Sequence, residues 1–264
     1  MLLKILMSKV NDMKKINYEK LNDFIASDVI KPFYETRFNQ LESIKLVDIL
    51  RRKNPYLFKA KNIEIAGELV SSILDAFLSS REETIFGDLM ENLAIHVCRE
   101  VFNGKKAEEG KYRSVDLIFE REEKIYIVGI KSGPNWGNSD QVSAMKRNLK
   151  LAKKLIRTEL NKKNVISVNG CIYGRDNNPH KVSKDPDLSY YKICGQAFWE
   201  LISGDDQLYK NIIQPLDKEV KKRDGAFKDL YVRKINEMTK DVIELFYTKN
   251  NLDWDKIVDY VSKK

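Results

Sequence analysis

Histidine and cysteine are both scarce in this chain, with 2 histidines and 3 cysteines in 264 residues. Cys98, Cys171 and Cys194 are widely spaced and odd in number, so neither a disulfide framework nor a zinc cluster is expected. They read as small core residues of a protein kept in a reducing cytosol. His96 and His180 stand apart with no Cys–His cluster around them, which disfavours zinc chemistry and Ser–His nucleophilic chemistry. His96, beside an apolar stripe, reads as a hydrogen-bonded core residue, and His180 as a loop or nucleic-acid contact. Long hydrophobic runs are missing too. Nothing approaches the roughly 18 apolar residues of a membrane span, and the opening MLLKILMSK has neither a signal-peptide core nor a cleavage site. The expectation is a soluble, cytoplasmic protein with no membrane partner.

What the chain does have is charge: 47 basic against 39 acidic residues, a net +8 that favours a polyanionic partner. It is long enough to bury a proper core without covalent staples. From residue 9 to 80 the apolar positions recur at helical spacing, as in Leu69, Ile73, Leu74, Phe77 and Leu78. Pro32 and Asn54-Pro55 read as breaks between helices, and residues 54–62 as a surface loop. A further helix is expected over 82–101, with Ile85, Leu89, Leu93, Val97 and Val101 on one stripe. Its opposite side carries Gly87, Ala94, Ile95 and Cys98, so two faces are covered, and Glu91 projects from the second. A carboxylate there is unusual because burying an unpaired charge is costly, and helix geometry alone favours the plainer reading, a boundary glutamate that reaches water or a lysine.

After a polar connection over 103–113, residues 115–119 and 124–130 alternate as strands around the charged turn 120–123, which makes a β-hairpin. Asp116 lies in the first strand and Lys131 ends the second, 15 residues on, so pairing brings a carboxylate and an ammonium to one end of the sheet. Such a pair is the minimum that holds a divalent metal beside a water and a phosphate. The turn-rich stretch 132–138 follows, then a helix from near Asp140 to Leu160, capped by Asn138 or Ser139. Val142, Met145, Leu149, Ala152 and Ile156 face inward, and Lys146, Arg147, Lys150, Lys153, Lys154 and Arg157 read by default as a solvated basic face, with a phosphate-tracking surface as the alternative. A strand over 164–174 leads into a long loop whose Arg175, Asn177, Asn178, His180 and Lys181 have the chemistry to reach phosphates or base edges. A last strand at 190–194, a short helix at 195–202 with Phe198 and Trp199 in the core, and helices to the end complete the pattern.

The fifteen-residue interval from Asp116 to Lys131 resembles the core of the PD-(D/E)XK nuclease superfamily. The runs FGDLMEN, IYIVGIKSGPNWGNSDQ, CIYGRDN and GQAFWELISGD resemble type II restriction endonucleases that cut GGNCC-like sites. The likeness covers residues 82–204 and is best over 115–141. It implies an α/β fold: a restriction-endonuclease-like core, a small mixed β-sheet flanked by helices, spanning 81–204. A helical N-terminal part (1–80, for dimerisation or embracing DNA) and a helical C-terminal part (205–264) pack on that core.

The implied activity is Mg2+-dependent, sequence-specific hydrolysis of double-stranded DNA at a short palindrome, leaving 5′-phosphates. The implied assembly is a homodimer joined through the terminal helices. A cognate DNA methyltransferase acts on the same site without having to bind the enzyme. Asp116 is the implied central metal ligand, the Ile130 carbonyl completes the shell, and Lys131 orients the attacking water. The superfamily's second-strand acid is missing, because Gly129 stands in its place. Glu91 is the implied replacement, ahead of Glu108 and Glu109. Gln141 is placed near the scissile phosphate, Asn135, Asn138 and Ser139 on the DNA backbone, and Trp136 in the loop or against a sugar. Two rivals stay open: a structure-specific or repair nuclease on the same core, and a DNA-binding protein with a decayed nuclease site.

Overall fold

The computed structural model describes residues 14–161 and 164–264, so the opening apolar run and the helix start expected from Lys9 lie outside the described residues. Two compact units are each built from two stretches of chain: residues 14–29 with Gly87–Leu216, and Ile30–Phe86 with Asp217–Lys264. Among the described residues no helix is long and apolar enough to cross a membrane.

The first unit is a six-stranded mixed sheet with helices on it. Strands β1 (Lys105–Lys106), β2 (Leu117–Arg121), β3 (Lys124–Lys131), β4 (Val165–Cys171), β5 (His180–Lys181) and β6 (Tyr190–Cys194) run in the order β1-β2-β3-β4-β6-β5. β2 and β3 are the predicted hairpin, antiparallel with Leu117 opposite Val128. Their turn narrows to Glu122-Glu123, both at positive φ (52° and 61°), the twist that suits a two-residue connection between strands. β4 runs parallel to β3 and β6 parallel to β4, which requires a crossover between them. The first crossover is a 22-residue helix, Ser139–Leu160.

That crossover helix packs Met145, Leu149, Ala152 and Ile156 on Ile125, Ile127, Val165 and Tyr190, as its periodicity predicts. Each of the methionine, leucine, isoleucine and valine side chains contributes roughly 1.5–3 kcal/mol when fully buried. One expected position is corrected. Lys153 lies buried rather than on a solvated face, and burial, followed by the neighbouring Arg157 charge, lowers its pKa. Its partner comes from the long loop, where a 3-10 turn at Pro186–Leu188 sets Asp187 2.8 Å from Arg157 and 4.0 Å from Lys153, and Asp185 2.6 Å from Lys150. Asp187→Ala should therefore lower stability by roughly 1–2 kcal/mol, read as the urea midpoint, because it leaves a buried ammonium without its carboxylate. An unchanged midpoint would mean that Lys153 reaches water instead.

Numbering helices along the chain, α1 is Tyr18–Phe24, α2 Lys31–Ser43, α3 Leu46–Leu50, α4 Pro55–Ala60 and α5 Ala66–Phe102. The crossover helix Ser139–Leu160 is α6, followed by α7 (Gln196–Ser203), α8 (Leu208–Asn211), α9 (Ile213–Phe246) and α10 (Trp254–Ser262). Several expectations change. Pro32 does not separate two helices: a π-helical stretch, Ile25–Ile30, joins α1 to α2, and Pro32 sits in the first turn of α2, where no amide is needed. Residues 54–62 are not a bare loop, since Asn54 accepts from the Tyr56 amide and caps α4 with Pro55 at its start. The helix expected to begin at 82 is the second half of α5, 37 residues without interruption. The polar connection 103–113 contains β1, and a two-stranded hairpin, Tyr247–Thr248 with Asn251–Leu252, interrupts the C-terminal helices.

The second unit is helical apart from that hairpin. Its interior holds Arg37, whose guanidinium lies 3.8 Å from the Phe227 ring centroid and 2.6 Å from Glu82. Tyr231 donates to Asp75 at 2.6 Å, and Lys53 donates to the Ala76 carbonyl at 2.8 Å.

Candidate active site

Asp116 precedes the first residue of β2, yet its amide donates to the Val128 carbonyl at 2.8 Å, so it continues the ladder opposite Gly129. Its carboxylate Oδ2 accepts the Ile130 amide at 2.6 Å. That bond fixes the carboxylate across the hairpin. Lys131 ends β3, and its Nζ lies 3.9 Å from the same Oδ2 and 5.6 Å from the Trp136 ring centroid. Both side chains are partly open to solvent, at 24% for Asp116 and 32% for Lys131. A cation held between a carboxylate and an indole face has its position defined while its N–H groups still reach outward.

Glu91 arrives from α5. Gly87, one turn earlier on that helix, brings the backbone so close to the residue after Lys131 that a Cβ there would lie 2.6 Å from Ser132 Oγ. Residues four apart share a helix face, so Glu91 follows Gly87 towards the same end of the sheet. The electrostatics agree with this placement. Burial raises the Glu91 pKa, the Asp116 charge raises it further, and Lys106 and Lys131 pull it down. The odd polar residue on a covered helix is therefore a neighbour of the Asp116–Lys131 pair. Glu108, by contrast, lies 3.8 Å from Lys111 on the exposed approach to β2.

The loop after β3 is ordered by its contacts with α6. Asn138 caps α6 and forms a capping box: its side chain accepts the Gln141 amide at 3.0 Å, and Gln141 Oε1 accepts the Asn138 amide at 3.0 Å. Asn135, Asn138, Ser139 and Gln141 are all exposed there, and Trp136 packs against the core under α6. Arg175 and Asn177 are exposed in the loop after β4. Lys181 instead turns to Asp176, 2.8 Å away, a carboxylate whose pKa is lowered first by that hydrogen bond. Lys192 lies 3.5 Å from the same carboxylate.

Both histidines are stacked: His96 on Phe24 with ring centroids 3.8 Å apart, and His180 on Tyr191 at 4.6 Å. Burial lowers the His96 pKa, as suits a neutral packed imidazole.

Sequence reasoning missed two residues beside the site. Ser114 sits at φ 59° two residues before Asp116, with its hydroxyl 2.9 Å from Asn148 Nδ2 of α6. Asn169 lies buried on β4, in register with Gly129. No spacing rule marks a serine in a turn, and a lone asparagine in an apolar strand is the one signal that was there to follow.

No curated protein matches the chain significantly. A family profile does, over residues 19–224, which includes the sheet, Glu91, Asp116, Lys131 and most of both units. With that span of match joined to a mixed sheet flanked by helices, the chain belongs to the family of the type II restriction endonuclease EcoO109I.

Proposed function

We propose that the protein is a Mg2+-dependent type II restriction endonuclease with a site of the PD-(D/E)XK kind, cutting double-stranded DNA at a short palindrome. The observation that carries this reading is the pairing of Asp116 with Lys131 at one end of β2 and β3, with α5 packed on the next residue, Ser132, through Gly87, one turn before Glu91. Two carboxylates with main-chain carbonyls suit a hard divalent ion, and Mg2+ characteristically takes one or two carboxylates and leaves the rest to water and phosphate oxygens.

Asp116, Glu91 and the Ile130 carbonyl would hold the ion, which when bound supplies Lewis-acid polarisation of a phosphoryl oxygen and a more acidic water. Lys131 holds the attacking water by its ammonium N–H groups and balances the negative charge that builds on the phosphorus oxygens in the transition state. Asp116, fixed by the Ile130 amide, keeps Lys131 close. Gln141, at the start of α6, is assigned to the side of the scissile phosphate. Asn135, Asn138, Ser139, Arg175, Asn177 and Lys181 are the candidates for holding DNA. A palindrome has two scissile phosphates related by a two-fold axis, which a homodimer matches with one site per strand. The terminal helical parts, with many apolar faces, are its proposed interface. GGNCC-like sequences are the first sites to test.

The test is digestion of phage DNA with Mg2+, followed by sequencing of the cut ends. Discrete bands with one common sequence and 5′-phosphates support the reading. A smear points to a structure-specific nuclease. Tight DNA binding with no cleavage in Mg2+ or Mn2+ points to a decayed site, the rival that Gly129 suggests.

A further inference from the structure

Gly129 occupies the strand position where the superfamily resemblance leads one to expect an acid, and the structure gives a steric reason for the glycine. A Cβ on Gly129 would lie 2.5 Å from the Ser114 carbonyl oxygen and 3.6 Å from its carbon. No side chain fits there unless the backbone before Asp116 moves. The space an acid would fill already contains an oxygen, and it belongs to the main chain.

That oxygen is held in place from several directions. Ser114 adopts the left-handed region, φ 59°, which is uncommon for a residue with a side chain and persists only where the surroundings impose it. The Ser114 hydroxyl accepts from Asn148 Nδ2 at 2.9 Å, the Val115 amide donates to the Tyr112 carbonyl at 3.1 Å, and the Asp116 amide is tied to Val128 at 2.8 Å. Among the described residues no donor is seated on the Ser114 carbonyl oxygen itself.

A second oxygen lies on the other flank. Asn169 is in register with Gly129 on β4, so its side chain rises on the same face of the sheet from a strand about 4.8 Å away. It is 2% exposed, and among the described residues its Oδ1 has no hydrogen-bond partner. A buried amide oxygen without a donor is rare and asks for a water or a cation. Asp116, opposite Gly129 on the next strand, brings a carboxylate to the same level.

We propose that Gly129 admits the Ser114 carbonyl as a ligand of the active-site divalent cation in place of the strand acid, with Asn169 Oδ1 anchoring a water of the same shell. The proposal rests on the nuclease reading above. It differs from that reading in taking Gly129 as a requirement of the site and not as a loss.

The first experiment is Mn2+ binding by the full-length protein, followed by electron paramagnetic resonance. Gly129→Ala and Gly129→Asp, whose Cβ displaces the carbonyl, should bind Mn2+ about tenfold or more weakly, the scale of a disturbed metal shell. Gly225→Ala, on α9 where an added Cβ meets nothing within 4 Å, should stay close to wild type. Tighter binding by Gly129→Asp than by wild type would overturn the proposal, since that is what restoring a lost acid predicts. So would wild-type affinity in Gly129→Ala.

If the Gly129 variants do not fold, the wild-type protein decides alone. Its sequence contains two Ser–Val pairs, Ser114–Val115 and Ser167–Val168, so labelling serine carbonyl carbon and valine nitrogen isolates both carbonyls by nuclear magnetic resonance. Saturating Mg2+ should move the Ser114 carbonyl resonance well beyond that of Ser167, and an unmoved Ser114 signal overturns the proposal. Plasmid cleavage by the same wild-type sample separates the two levels. Cleavage with an unmoved Ser114 carbonyl defeats this inference and leaves the nuclease reading standing, while a protein that neither cleaves nor binds Mn2+ defeats both.

Discussion

Lys131→Ala should remove plasmid cleavage by about 10²–10³-fold, the usual cost of losing one donor aimed at transition-state charge, while DNA binding changes little. Lys131 is placed for this by three neighbours: Asp116 Oδ2 at 3.9 Å, the Trp136 ring at 5.6 Å, and the β3 backbone that ends beneath it. Its side chain is 32% exposed, so the ammonium can meet an incoming phosphate, while the covered aliphatic stem gives up some packing when it is trimmed. The melting temperature should therefore fall by only about a few degrees. Single-turnover cleavage and a filter-binding titration in Ca2+ separate chemistry from binding. A variant that cleaves at the wild-type rate would place the general charge-balancing group elsewhere, with Lys106, which faces Glu91 electrostatically, as the next residue to test. A variant that loses binding and cleavage together would make Lys131 a phosphate anchor and not a participant in the chemistry.

The Asp116–Lys131 pair was legible in the sequence because a hairpin with period-two patterning and a short charged turn permits one register, and that register settles which residues meet. Glu91 was not legible from the helix pattern, which favours a boundary glutamate reaching water or a lysine; only the absent strand acid of the resemblance singles it out, and burial with the Asp116 charge raises its pKa there. The core under α6 followed from its apolar spacing, but Lys153 did not, because a lysine on a lysine-rich face looks solvated until Asp187, in the acidic turn of the long loop, closes over it. The length of α5 was hidden by its polar middle, Ser79-Ser80-Arg81-Glu82-Glu83, which lowers the apolar signal without supplying any residue that breaks a helix. β1 has two residues and no pattern to read. The meaning of Gly129 was out of reach in principle. A missing side chain in the sequence says nothing of the Ser114 carbonyl that a tertiary turn lays above it.

Glu91→Gln tests the helix-borne carboxylate most sharply, because metal-free stability and activity should move in opposite directions. Burial and the Asp116 charge raise the Glu91 pKa in the folded protein above its ordinary value. A carboxyl shifted upwards contributes stability that is fully present below its unfolded pKa and is lost as pH rises through the raised folded value. Above that raised value the ionised Glu91 is a cost to the metal-free fold, and glutamine, which keeps the shape without the charge, should raise the melting temperature more at high pH than at low pH. With Mg2+ the order reverses. The wild-type protein gains about 2.7 kcal/mol when the ion is present at a hundredfold excess over its dissociation constant, and the variant forfeits most of that gain. Because the carboxylate has to ionise before it can bind, wild-type Mg2+ affinity should climb with pH through this range, and the climb should flatten in Glu91→Gln. Cleavage should fall by about 10²-fold or more, in line with the loss of an oxygen ligand from a sparse site. Full cleavage by Glu91→Gln would remove Glu91 from the metal shell, and would leave Asp116 with the oxygens around Gly129 as the whole of the protein's share.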